Sequence, residues 1–149
     1  MQQAVSARTP AHLWIVGILS LLWNCFGAYD YTMSHMRNMD YLGSMGMDAN
    51  RVLAYMDSMP IYAKFGWGLG VWAALLGSIL LLMRSRYALY AFAASLVGMA
   101  LSFGGQFLGP PMPPEMSAGA MKYMPMVIVL LGLIQAWYAW RETRSGVLR

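Results

Sequence analysis

Methionine is the residue type whose number and placement most invite chemistry. The chain has 15 methionines, and 12 of them cluster in or beside two polar segments between apolar runs. The local patterns are Met33-Ser-His35-Met36-x-x-Met39, Met45-Gly-Met47, Met56-x-x-Met59 and Met121-x-x-Met124-x-Met126, with Met112 and Met116 in addition. Thioethers are soft ligands that select Cu(I), and a neighbouring imidazole strengthens such a site. If the first apolar run continues as a helix past the membrane surface, positions 35 and 39, and 36 and 39, share one face. Met33, His35, Met36 and Met39 are then a candidate soft-metal set, completed from across the molecule by Met121 and Met124. The competing role is packing, because methionine is an adaptable apolar filler.

A second candidate is ionic. Asp30 and Lys64 fall inside apolar runs at similar depth, and Gln106 reaches the same level. An unpaired charge at the bilayer centre costs about 3 kcal/mol or more on insertion scales, so an Asp30–Lys64 pair braced by Gln106 is expected. Such a cluster is either a polar pocket open to one side or a purely structural pair, with Lys64 also able to snorkel to the headgroups. Asn24 lies nearer mid-membrane, with Ser95 and Ser102 of the third run bracketing its depth. Interhelical hydrogen bonding accounts for an asparagine there.

Other chemistries have no foothold. His12 and His35 sit at opposite ends of one apolar run, so they cannot form a bis-imidazole metal or haem site. The sequence contains no Gly-x-Ser-x-Gly, no phosphate-cradling glycine loop and no His-Glu-x-x-His. The single cysteine, Cys25, has no partner in the chain and is expected to be inert in mid-span. Nothing here points to an enzyme, and no cofactor beyond the Cu(I) option is implied.

The elements that must carry these residues follow from composition. Of 149 residues, 59% are hydrophobic and only 11% charged. A water-soluble domain carries about 25% charged residues, so a soluble globule is excluded, and disorder is excluded by the same apolar excess. Four stretches are long enough to cross a bilayer core, which takes about 20 helical residues. They are Leu13–Met33, Ile61–Met83, Tyr87–Leu108 and Ala118–Trp140, and none alternates with the period of a β-barrel strand. The expectation is an all-α membrane protein comprising one integral domain over residues 1–149. The bilayer itself is then its first partner.

Charge sets the orientation. Arg8, Arg84, Arg86, Arg141, Arg144 and Arg149 gather on one side with Glu142 as the sole acid. Arg37, Arg51, Lys64 and Lys122 lie on the other with five acids, Asp30, Asp40, Asp48, Asp57 and Glu115. The positive-inside rule places both termini in the cytoplasm and both longer loops outside. This asymmetry explains the net charge of +4 without a nucleic-acid partner. In the first outer loop, Ser34–Pro60, Asp48 is a good N-cap for a short interfacial helix. The second, Gly109–Glu115, holds four prolines and reads as a stiff connection.

Small and polar residues recur along the spans in steps of three and four. They are Gly17, Ser20, Asn24, Gly27 and Tyr31; Gly66, Gly70, Ala73 and Gly77; Ala91, Ser95, Gly98, Ser102 and Gly105; and Ile128, Gly132, Gln135 and Ala139. Small residues let helix backbones approach in lipid, and this repeat predicts an antiparallel, left-handed four-helix bundle. Gly66-x-x-x-Gly70 is also a motif for homo-oligomerisation, although four spans in one chain favour its use in packing within the chain.

The strings His12-Leu-Trp-Ile-Val-Gly-Ile-Leu-Ser-Leu-Leu-Trp-Asn24-Cys-Phe-Gly-Ala-Tyr-Asp30-Tyr-Thr-Met and Gly66-Trp-Gly-Leu-Gly-Val-Trp-Ala-Ala-Leu-Leu-Gly77 resemble a family of small four-span inner-membrane proteins of Gram-negative bacteria. Arg37-Asn-Met-Asp-Tyr41-Leu and the closing Gly146-Val-Leu-Arg149 share the resemblance. It implies the four-span fold and a bacterial inner-membrane location, and it brings no catalytic residues. The family has no established activity, although a sugar-transporter label circulates among its members, and the methionine-rich loops depart from its pattern. Three functional readings are left open. They are a structural or accessory protein working within a larger membrane complex, a small transporter acting as an oligomer, and a Cu(I) binder on the outer face.

Overall fold

A computed structural model describes residues 9–149. Four of its helices are long and apolar enough to span a membrane. They are α1 (Ala11–His35), α4 (Ile61–Leu82), α5 (Tyr87–Leu108) and α7 (Met124–Arg144). Between α1 and α4 lie two short helices, α2 (Met39–Ser44) and α3 (Ala49–Ser58). Between α5 and α7 come α6 (Pro114–Ser117) and a 3-10 turn, Gly119–Tyr123. Among the described residues no strand is formed. The chain is a multi-pass helical membrane protein with its short helices gathered at one end, here termed the loop end. The first residues of α1 and the C-terminal residues meet at the other, the terminal end.

Local sequence explains the boundaries. Asp48 caps α3 as expected, accepting from the Asn50 and Arg51 amides at 3.0 and 3.3 Å. Asn38 does the same for α2 through the Tyr41 amide at 2.9 Å. The expected continuation of α1 to Met39 fails. The helix closes at His35 with Arg37 in the left-handed region, the Arg37 amide reaching Ser34 O and the Asn38 amide reaching Met33 O, each at 3.1 Å. This pair of bonds is a Schellman ending, a position that usually takes glycine. Arg84 closes α4 in the same way, and Gly146 closes α7. The fourth span also differs from its expected bounds. A 3-10 turn precedes it, Pro125 lies in its first turn where a missing N–H costs nothing, and it continues to Arg144. Pro114 likewise opens the single turn of α6, so the proline loop is shorter than expected.

The spans pack in the order α1, α4, α5, α7, with α7 also touching α1. The expected seam of the third span is buried at every position, Ala91, Ser95, Gly98, Ser102 and Gly105. In α4 the seam turns to Ala74 in place of Ala73, and in α1 to Ala28 in place of Gly27. The α4–α5 pair is a backbone-on-backbone contact. A β-carbon added at Gly98 would fall 2.3 Å from Gly70 N and 2.6 Å from Gly66 O. Ser95 Oγ locks the same level by donating to Gly70 O at 2.7 Å.

Two apolar clusters close the ends. At the terminal end Leu13, Leu81, Ala88, Phe92, Tyr138 and Ala139 enclose Val147 and Leu148 of the C-terminal segment. Arg149 pins that segment to the α4–α5 turn, its amide donating to Arg84 O at 2.8 Å and its carbonyl accepting from the Arg86 amide at 3.0 Å. At the loop end Tyr55, Met59 and Ala63 pack with Met112 and Met116.

Candidate functional site

The Asp30–Lys64 pair is not made. Asp30 instead accepts a 2.8 Å hydrogen bond from the Tyr41 hydroxyl, because α2 folds back over the end of α1. Burial, reinforced by the bond to Asp30 and its charge, raises the Tyr41 pKa above the usual tyrosine value. It is Tyr31, one residue on, that faces α4, its hydroxyl lying beside Gly68. Lys64 reaches the last turn of α3, donating from Nζ to Asp57 O at 3.0 Å. That carbonyl sits at the negative end of a helix, where an ammonium is favoured. Gln106 is half-buried and joins neither group.

Lys64 nevertheless lies in a pocket. A concavity of about 160 Å³ opens at the loop end between the end of α1, α3 and the start of α4. Ser34, His35, Arg37, Asp57, Lys64 and Trp67 line it, with Leu53, Met56 and Met59. The Asp57 carboxylate is taken up by Arg37. Lys64 has no carboxylate partner among the described residues, so the lining carries a net positive charge. His35 stacks on Tyr31 with ring centroids 4.0 Å apart and tilts against Trp67 at 5.1 Å. Its Nδ1 lies 3.1 Å from Tyr31 O. Ser34 is 5% exposed, and its hydroxyl has no hydrogen-bond partner among the described residues.

Of these residues, sequence reasoning made only His35 and Lys64 site candidates, with Met56 and Met59 noted in the methionine pattern. A usable signal was present: Tyr31 and His35 are four apart in α1, and Lys64 and Trp67 three apart in α4, so each pair shares a helical face. Asp57, on the third element, carries no comparable mark.

The methionine set is divided among several elements. Met33 and His35 belong to α1, Met36 lies in its cap and Met39 starts α2, so the shared helical face on which the set depended does not exist. Met36 and Met39 are exposed, at 71% and 44%. Met33 Sδ accepts a weak contact from Asn38 Nδ2 at 3.8 Å. Met121 lies in the 3-10 turn and Met124 begins α7. Met59, Met112 and Met116 pack around Tyr55 as apolar filler.

Asn24 is the centre of a buried polar knot, but with other partners than Ser95 and Ser102. Its Nδ2 donates to Ser78 Oγ at 2.8 Å, Ala74 O at 3.1 Å and Gln135 Oε1 at 3.4 Å. Three spans, α1, α4 and α7, are thus tied together in the apolar interior. Cys25, beside it, faces outward from the bundle instead of being enclosed.

The other large cavity is apolar. It occupies about 900 Å³ between α5 and α7 towards the loop end, walled by residues such as Leu96, Met99, Phe103, Phe107, Met126 and Leu130. It lies beside the loosely packed part of the fourth span, where 11% of an 18-residue apolar stretch is buried against 28–33% in the other three spans.

These features define a small four-span membrane protein with a cationic pocket at one end and a lateral groove in its apolar belt. Compared with protein-family models, curated proteins and solved structures, the chain matches none.

Proposed function

We propose that this protein is a non-enzymatic accessory subunit that receives a transmembrane helix of a partner chain in the α5–α7 groove. The carrying observation is the unequal packing of the fourth span, which meets its neighbours at Gly132, Gln135, Tyr138 and Ala139 but leaves an open groove between α5 and α7 towards the loop end. Ala100 lines the groove and Gly104 has open space beside it, so a partner backbone can come close. Such approach at small residues is what drives helix association in lipid. Asn24, Ser78 and Gln135 of the interior, by contrast, are engaged with one another. We further propose the bacterial inner membrane as the location, with the loop end outside and both termini cytoplasmic. Support for this comes from the arginine asymmetry and the resemblance of the α1 and α4 strings to that family.

A photoreactive residue placed at Ala100 or Leu130 tests the docking. In native membranes these positions should give protein adducts, whereas Leu22, on the exposed face of α1, should not. The adduct mass separates a second copy of this chain from a different subunit. Adducts with lipid alone, or equal protein adducts from Leu22, overturn the reading.

A further inference from the structure

We propose that the loop-end pocket binds a phosphate-type oxyanion, with Lys64 as its principal ligand. Three donors converge on the cavity, two from the end of α1 and one from the start of α4. Lys64 Nζ uses one of its N–H bonds on Asp57 O, leaving two. Ser34 lines the cavity, and its hydroxyl lacks a partner among the described residues. Reachable from the cavity, that hydroxyl is free to donate to a ligand oxygen. Arg37 spends one terminal nitrogen on Asp57 and keeps its remaining N–H groups for a second acceptor.

Charge decides the class of ligand. The Asp57 carboxylate is the only acid in the lining and Arg37 already neutralises it, so Lys64 is left as unbalanced positive charge. A cationic or neutral ligand would leave that charge unanswered. The His35 and Trp67 rings make a rigid aromatic wall, and Met56, Met59 and Leu53 an apolar one, so the site holds a compact anion against a greasy side. Lys64 stands in the first turn of α4, where a transmembrane helix enters the headgroup layer. The anion can therefore arrive as free phosphate or as the phosphodiester of a lipid, and the chemistry of recognition is the same.

Titration calorimetry on the full chain in a zwitterionic detergent distinguishes these cases. The two probes are inorganic phosphate and dioctanoyl phosphatidylglycerol. One of them should saturate with one equivalent and weaken at least tenfold in Lys64→Gln and in Ser34→Ala. Lys64→Arg should retain binding, and Lys122→Gln, which removes an exposed cation elsewhere, should leave it unchanged. A lipid source predicts phosphatidylglycerol at least tenfold tighter than phosphate; a free-anion source predicts the two within threefold. Saturable binding by neither probe, or equal weakening by Lys122→Gln and Lys64→Gln, overturns the proposal. Circular dichroism of each variant confirms that a loss of binding is not a loss of fold. None of these outcomes depends on the α5–α7 groove.

Discussion

Gly98 of α5 lies directly against Gly70 of α4, so that a β-carbon on Gly98 would stand 2.3 Å from the Gly70 amide nitrogen. The nearest obstacles are backbone atoms, which cannot swing aside as a side chain can. The contact also holds the level at which Ser95 bonds Gly70 O. The α4–α5 hairpin is thus the part of the molecule least tolerant of added volume.

Gly98→Ala should destabilise the protein by about 1–3 kcal/mol, the usual cost of overpacking. Gly104→Ala, where nothing lies within 4 Å, should be close to neutral. Thermal unfolding in detergent measures both, and equal effects would contradict the contact.

Asn24 should be coupled to Gln135. Asn24→Leu leaves Ser78 and Gln135 without their donor and should cost about 1–3 kcal/mol, the penalty for a stranded buried polar group. The coupling in a double-mutant cycle with Gln135→Leu should be about 0.6 kcal/mol, typical of polar contacts between membrane helices. The same cycle on Asp30 and Lys64 should give no direct coupling, since each is bonded elsewhere.

Tyr41 carries a pH dependence. Its pKa is raised in the folded chain by burial, by its hydrogen bond to Asp30 and by that residue's charge. A raised value means that the folded state holds the proton more tightly. The stabilisation is therefore complete below about pH 10, the ordinary tyrosine value, and is lost as pH rises through the folded one. Tyr41→Phe should leave the phenolate absorbance change near pH 10 unaltered, because Tyr41 does not titrate there. Loss of one tyrosine's share of that signal would contradict the Asp30 bond.

Leu148 should matter more than its place near the end of the chain suggests. It is 3% exposed, and it packs in the cluster with Leu13, Leu81 and Phe92. Leu148→Ala should cost about 2–5 kcal/mol, as for other core leucines. Leu22→Ala, on the exposed face of α1, should cost far less; the comparison is made by thermal unfolding.

Orientation is tested by cysteine labelling of intact cells in a Cys25→Ser background. Cysteines replacing Gly46 and Pro113 should react with an impermeant thiol reagent, and cysteines replacing Ser85 and Ser145 should not. Labelling at Ser85 would reverse the proposed topology.

Much of the architecture was determined by sequence alone, and for identifiable reasons. A bilayer demands a continuous apolar run of nearly fixed length, so the bounds of α4 and α5 were legible almost to the residue. The α5 seam was equally legible, because a helix meeting another in lipid must present its small residues on one face. Asp48 announced α3, since a capping side chain acts on amides two and three residues away. What the tertiary structure decided depends on contacts between segments distant in sequence. Asp30 and Lys64 match in depth, but depth says nothing about rotation around a helix axis. Tyr31, not Asp30, faces α4, and the fold of α2 brings Tyr41 to Asp30 instead. Asn24 was recognisable as a seam residue, yet its choice of Ser78 and Gln135 over Ser95 and Ser102 follows from how α4 and α7 dock against α1. The methionine set presumed a helix that Arg37 ends in a left-handed turn, a conformation seldom taken by a side-chain-bearing residue. The cationic pocket gathers Ser34, Arg37, Asp57, Lys64 and Trp67 from three helices and a helix cap; only the packed chain brings them within reach of one ligand.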